Sequence, residues 1–120
     1  LRQWSRDGDG RIWTVAQFEG LFRLDGDRYV AVPAVPRNFS RAWYSVQTGP
    51  DGLLWIGTMN GLLIYSPREG RLLHPQPILN KDEIFHVAHD RLGYVWCSTR
   101  RGIVRFAAAA ARQAKAEDPA

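Results

Sequence analysis

At 120 residues, with 45% hydrophobic and 23% charged side chains, the chain has the make-up of one ordinary globular domain or part of one. No run approaches the roughly 18 consecutive apolar residues of a helical membrane span, and the single cysteine, Cys97, rules out an intrachain disulfide and a cysteine-based zinc site. The net charge of +4 comes from arginines scattered over the whole length, only Arg100 and Arg101 being adjacent, whereas a nucleic-acid surface gathers its basic residues into a stripe.

In chain order, a first strand holds Trp4 and ends at the turn Asp7-Gly8-Asp9-Gly10. Such turns suit Gly, which accepts positive φ, and Asp, which bonds the local backbone. A strand around Trp13 follows, then the connection Gln17-Phe18-Glu19, Gly20 and a third strand over 21–24. Asp25-Gly26-Asp27 turns the chain into a fourth strand over 28–32, and a link over 33–40 leads on. The same order then recurs. Tyr44 and Val46 mark a first strand, Gly49-Pro50-Asp51-Gly52 a turn, Trp55 a second strand, and Met59-Asn60-Gly61 the next connection. A third strand over 62–65, a turn over 67–70, a fourth strand over 71–74 and a link over 75–83 complete that copy. In the third copy Ile84 and Val87 lead in, Asp90 to Gly93 turn, Trp96 anchors the second strand, and Arg100-Arg101-Gly102 precede a strand over 103–106.

Three anchors keep register through the three copies. Trp13, Trp55 and Trp96 are 42 and 41 residues apart, and Gly20, Gly61 and Gly102 are 41 and 41 apart. Gly10, Gly52 and Gly93 each precede the Trp by three. Four short strands repeating every ~42 residues are the pattern of a β-propeller blade. A β-sandwich is the other all-β arrangement, but it requires no such repeat. The expected fold is therefore all-β: a propeller segment of three four-stranded blades over about 1–33, 42–75 and 84–106. The third blade is incomplete, and an Ala-rich tail over 107–120 is helical or disordered. Three blades leave two apolar faces bare. The chain is expected either as a fragment whose partners are the remaining blades of a parent propeller, or as a subunit completed by a second copy.

The middle copy, Asp51-Gly52-Leu53-Leu54-Trp55-Ile56-Gly57-Thr58 with Gly61, Leu62 and Tyr65, resembles the two-component regulator propeller repeat. The outer copies match less of it: Trp13-Thr14-Val15 and Trp96-Cys97-Ser98 depart from its Trp-Ile-Gly core, and Leu92 stands where the turn Asp would be. The resemblance covers about residues 1–106. It implies the ligand-sensing propeller of a bacterial signal-transduction receptor, on the periplasmic or extracytoplasmic side, with glycan-derived ligands known for some members. A structural or protein-interaction propeller without a small ligand is the alternative.

Residues that recur in every copy are read as structural, the tryptophans as packing between neighbouring sheets. Specificity belongs to loops that differ between copies. The connections and links of one rim supply the candidate ligand-binding residues Arg37, Asn38, Arg41, Met59, Asn60, Asn80, Lys81, Arg100 and Arg101, with Asp82 and Glu83 beside them. No catalytic motif, cofactor or metal site is expected. His86 and His89, three apart on a strand, point to opposite faces. Cys97 is read as a small buried hydrophobe.

Overall fold

A computed structural model describes residues 3–74, 77–80 and 82–113. Three antiparallel sheets follow one another, each a simple meander. The first holds β1 (Gln3–Arg6), β2 (Ile12–Ala16), β3 (Gly20–Asp25) and β4 (Arg28–Ala31). The second holds β5 (Trp43–Thr48), β6 (Leu54–Thr58), β7 (Gly61–Ser66) and the two-residue β8 (Arg71–Leu72). The third has three strands, β9 (Ile84–His89), β10 (Tyr94–Thr99) and β11 (Gly102–Ala107). The leading strands stand side by side, β5 packing against β1 on one flank and β9 on the other. That places β1, β5 and β9 innermost, with the later strands fanning outward.

Alternation along each strand decides what each sheet buries. In β2, Trp13 and Val15 face the second sheet, and β6 answers with Leu54 and Ile56. With Leu21, Trp43, Val46, Leu63 and Tyr65 they form the first joint, where Trp13 and Tyr65 pack with ring centroids 5.6 Å apart. The intervening residues of β6 and β7 (Trp55, Leu62, Ile64) face the third sheet and meet Ile84, Val87, Val95 and Cys97. Both faces of the middle sheet are thus covered, and every residue of β6 and β7 is buried. The outer sheets are covered on one face only, which leaves Trp4 60%, Trp96 40% and Ile103 65% exposed.

Among the described residues, none after β11 forms a fourth strand. The chain enters a short helix, α1 (Ala108–Gln113), built on the alanine run that favours helix. Ala108 and Ala111, three apart on one helical face, are small enough to seat against the second joint. His74 Nε2 lies 2.8 Å from the Ala111 carbonyl, and Arg112 pairs with Asp51 at 2.8 Å. Residues 114–120 lie outside the described residues.

Candidate functional site

The strand ends gather on two opposite rims. The β1–β2, β5–β6 and β9–β10 turns occupy one. A hollow there of about 410 Å³ is lined by Asp7, Asp9, Asp51, Ser66, Arg68 and Glu69. Most of its acids already serve the turns. Asp7 accepts from the Trp13 indole at 2.8 Å and from the amides of Asp9 and Arg11 at 2.9 Å each. Burial pushes its carboxyl up, but the bonds from Trp13, Arg11 and Asp9 outweigh that and hold it below the usual range. Asp9 pairs with Arg11, Glu69 with Arg71, and Asp51 with Arg112.

The opposite rim carries the residues that differ between copies. Its β2–β3 and β6–β7 turns are fastened to the links: Trp43 N donates to Gln17 O at 2.7 Å and Met59 N to Ala42 O at 3.0 Å. The candidate residues fall into two groups there. Asn38 and Arg41 are exposed on the first link, and Ser40 Oγ bonds Asn60 Oδ1 at 2.9 Å, which ties Asn60 to that link. Met59, Asn80, Arg100 and Arg101 come together at the mouth of the second joint, around a shallow hollow of about 250 Å³ completed by Asp82 and Glu83. Arg37 falls within the short 3-10 turn Arg37–Phe39, and Lys81 lies outside the described residues.

Neither arginine of this hollow is a free cation. Arg100 Nε donates to Glu83 Oε1 at 2.7 Å, and Arg101 Nε to Asp82 Oδ1 at 2.9 Å. Glu83 also accepts from the Tyr44 hydroxyl at 2.6 Å. That bond, followed by the one from Arg100, holds the Glu83 carboxyl below its usual range. Burial, then Glu83, raises the Tyr44 hydroxyl in turn. The arrangement is a chain, Tyr44–Glu83–Arg100, beside an Arg101–Asp82 pair. Guanidinium and carboxylate edges are held in fixed positions with almost no net charge, which suits a small polar ligand that hydrogen-bonds in both directions.

Sequence reasoning placed Asp82 and Glu83 among the link residues beside the candidates and did not single out Tyr44. The adjacent pairs Asp82-Glu83 and Arg100-Arg101, both on one rim and opposite in charge, were the available signal for the two acids. Tyr44 had none, because its partner Glu83 lies 39 residues away at the entry to the next sheet.

No family model matches the sequence, and no curated protein does. Among solved structures, the extracellular domain of the putative hybrid two-component system BT3049 from B. thetaiotaomicron is similar at 18% identity and a TM-score of 0.67 over 89% of this chain. YCF48 bound to D1 peptide is similar at 15% identity and a TM-score of 0.63 over 88%. The chain spans 14% of the first and 36% of the second. With the three successive meanders and their covered joints, these likenesses show the fold: the chain is a segment of a β-propeller.

Proposed function

We propose that this chain is part of the ligand-sensing propeller of a bacterial signal-transduction receptor, facing the periplasm or the cell exterior. Its ligand is a small polar molecule, glycan-derived or of similar hydrogen-bonding character, seated at the mouth of the second joint. One observation carries the reading: Met59, Asn80, Arg100 and Arg101, from loops that differ between copies, converge with Asp82 and Glu83 on one hollow. The likeness to a two-component extracellular domain and the resemblance of the middle repeat support the setting. The role is binding rather than catalysis. The bare outer faces with Trp4 and Trp96 favour neighbours of the same kind, either further blades of a parent chain or a second copy.

The test is a calorimetric screen of neutral, acidic and amino sugars against the intact chain and its Arg101→Ala variant. Saturable binding that weakens about tenfold or more in the variant, the scale of one charge-assisted hydrogen bond, supports the reading. Binding that the variant leaves unchanged moves the ligand elsewhere. A screen in which no sugar binds favours the structural or protein-interaction propeller.

A further inference from the structure

We infer that α1 is an acid-released clasp: protonation of His89 draws Asp51 away from Arg112 and frees the helix from the second joint. The device sits on the rim opposite the ligand hollow, so it and the binding reading can each fail without the other.

A helix of six residues is too short to persist by itself, so α1 stands by what it touches. Ala108 N donates to Gly93 O at 2.9 Å, which fixes its start beside the β9–β10 turn. Ala108 and Ala111 seat in the second joint, and His74 Nε2 faces the Ala111 carbonyl. Alanine methyls bury little area, so the polar contacts weigh heavily. Chief among them is the ion pair from Arg112 Nη1 to Asp51 Oδ2 at 2.8 Å, which ties the last turn of α1 to the β5–β6 turn.

That same carboxylate borders a buried imidazole. Around the point a Cβ on Gly49 would occupy, Asp51 Oδ1 lies at 3.2 Å, His89 Nε2 at 3.0 Å and Trp55 Nε1 at 2.8 Å. Three polar atoms thus converge on the space the glycine leaves. Both nitrogens of His89 are buried with no hydrogen-bond partner among the described residues. A neutral ring tolerates this far better than an imidazolium, which carries two N–H donors and a charge. The charged groups that bear on the ring are Asp51 from the β5–β6 turn, Arg112 from α1 and Asp90 from the end of its own strand. Asp90 is already engaged by the Trp96 indole at 2.9 Å and by the amides of Leu92 and Tyr94 at 2.8 and 3.0 Å. Asp51 Oδ1 takes the Leu53 amide at a longer 3.2 Å, which leaves Asp51 the readier acceptor.

One carboxylate therefore stands between two cations, Arg112 and a protonated His89, that repel each other and compete for it. With α1 docked, burial and then Arg112 keep the ring neutral. With α1 released, Arg112 moves off, Asp51 is freed and water reaches the ring, so the released form binds the proton more tightly. Linkage sets the sign: docking is complete above the ordinary histidine value of about 6.5 and weakens as pH falls below it. His74 does not act this way, because an Nε2 that faces a carbonyl remains a donor when the ring is protonated.

The probe is a nitroxide label on Ala110→Cys, an exposed position of α1, in the full chain. Cys97 does not compete for the label, being buried with its thiol pushed up to about 12 by that burial. Between about pH 8 and about pH 5 the ratio of mobile to immobile label is expected to rise reversibly by about tenfold, a usual size for coupling between two sites. The strand signal in circular dichroism is expected to stay constant over that range. His89→Phe fills the ring's place without titrating and is expected to keep the label immobile throughout. A second measurement does not depend on that variant folding: followed by NMR, the His89 ring in Arg112→Gln is expected to take up its proton at higher pH than in the parent chain. Three results overturn the inference: a mobility that does not change with pH or changes only as the strand signal is lost, a change of equal size in His89→Phe, or a His89 titration that Arg112→Gln leaves where it was.

Discussion

The two joints between sheets are made by the same repeat, yet the tryptophan of one is latched to an Asp and that of the other is not. In the first, Trp13 presents its indole N–H to the Asp7 carboxylate, and the innermost strands are stitched together. Val46 N donates to Gln3 Oε1 at 2.7 Å, and Thr48 Oγ1 donates to Arg6 O at 2.9 Å. In the third sheet Trp96 has the same partner, Asp90 at 2.9 Å. The residue six before Trp55, however, is Gly49. The Trp55 indole N–H, fully buried, has no acceptor among the described residues, and a Cβ on Gly49 would lie 2.8 Å from it. His89 of the third sheet occupies the space, its ring 4.9 Å from Trp55 in edge-on contact and both its nitrogens without a hydrogen-bond partner among the described residues. A second glycine deepens the difference. Gly57 stands where the first sheet has Val15, and a Cβ there would meet the Ile84 carbonyl oxygen at 2.4 Å. The second joint has exchanged a hydrogen bond and a side chain for closeness.

That contrast is open to substitution. The largest effect is expected from Gly57→Val, which drives a side chain into the β9 backbone. Overpacking against an unyielding carbonyl is expected to cost about 3 kcal/mol in denaturant unfolding. A loss below about 1 kcal/mol would show that the third sheet can back away, and that the closeness is incidental. Asp7→Ala comes next. It strands the buried Trp13 N–H in the condition Trp55 already endures, at an expected cost of about 2 kcal/mol.

A smaller effect of opposite sign is expected from the pair Gly49→Asp with His89→Ala. The new Cβ requires the Trp55 indole to draw back; the space left by the imidazole lets it do so and donate to the carboxylate, and the latch should add about 1 kcal/mol. No gain in melting temperature would mean that the positive contribution of the Asp–Trp pair depends on the rest of the first joint.

The smallest effect is one of pH. Burial, the largest influence on His89, lowers its pKa, with Arg112 adding to that; Asp51 and Asp90 pull the other way without overcoming it. Being depressed in the folded state, His89 contributes fully above the ordinary histidine value of about 6.5. That contribution is lost as pH falls through this range toward the folded value, because the unfolded chain takes up the proton first. His89→Phe should flatten this part of the stability–pH curve. The carboxylates of Asp7 and Glu83 act at lower pH: both are held below their usual range, so their stabilisation persists above it and disappears as acid titrates the folded form.

Much of this was legible in the repeat. Trp13, Trp55 and Trp96 at steps of about 41 residues required one packing element per sheet, and alternation decided which faces the sheets would turn to each other. The Asp-Gly turns and the break after Phe106 were equally plain, because turn chemistry and helix propensity are local properties of the chain. Cys97 is buried as expected, and burial pushes its thiol up to about 12. The candidate residues were found by their position in variable loops, which says where a side chain starts but not whom it meets.

What tertiary structure alone decided are the pairings between copies. Nothing in the order of residues joins Tyr44 to Glu83 or sets His89 of one repeat against the missing carboxylate of the repeat before it. Each joins the second sheet to the third or its lead-in, and its geometry depends on how closely those sheets approach, which glycines such as Gly57 permit and only packing sets. A repeat determines the blade, since every contact within a blade is close in sequence. The joints between blades, and the sites at their mouths, depend on non-local packing.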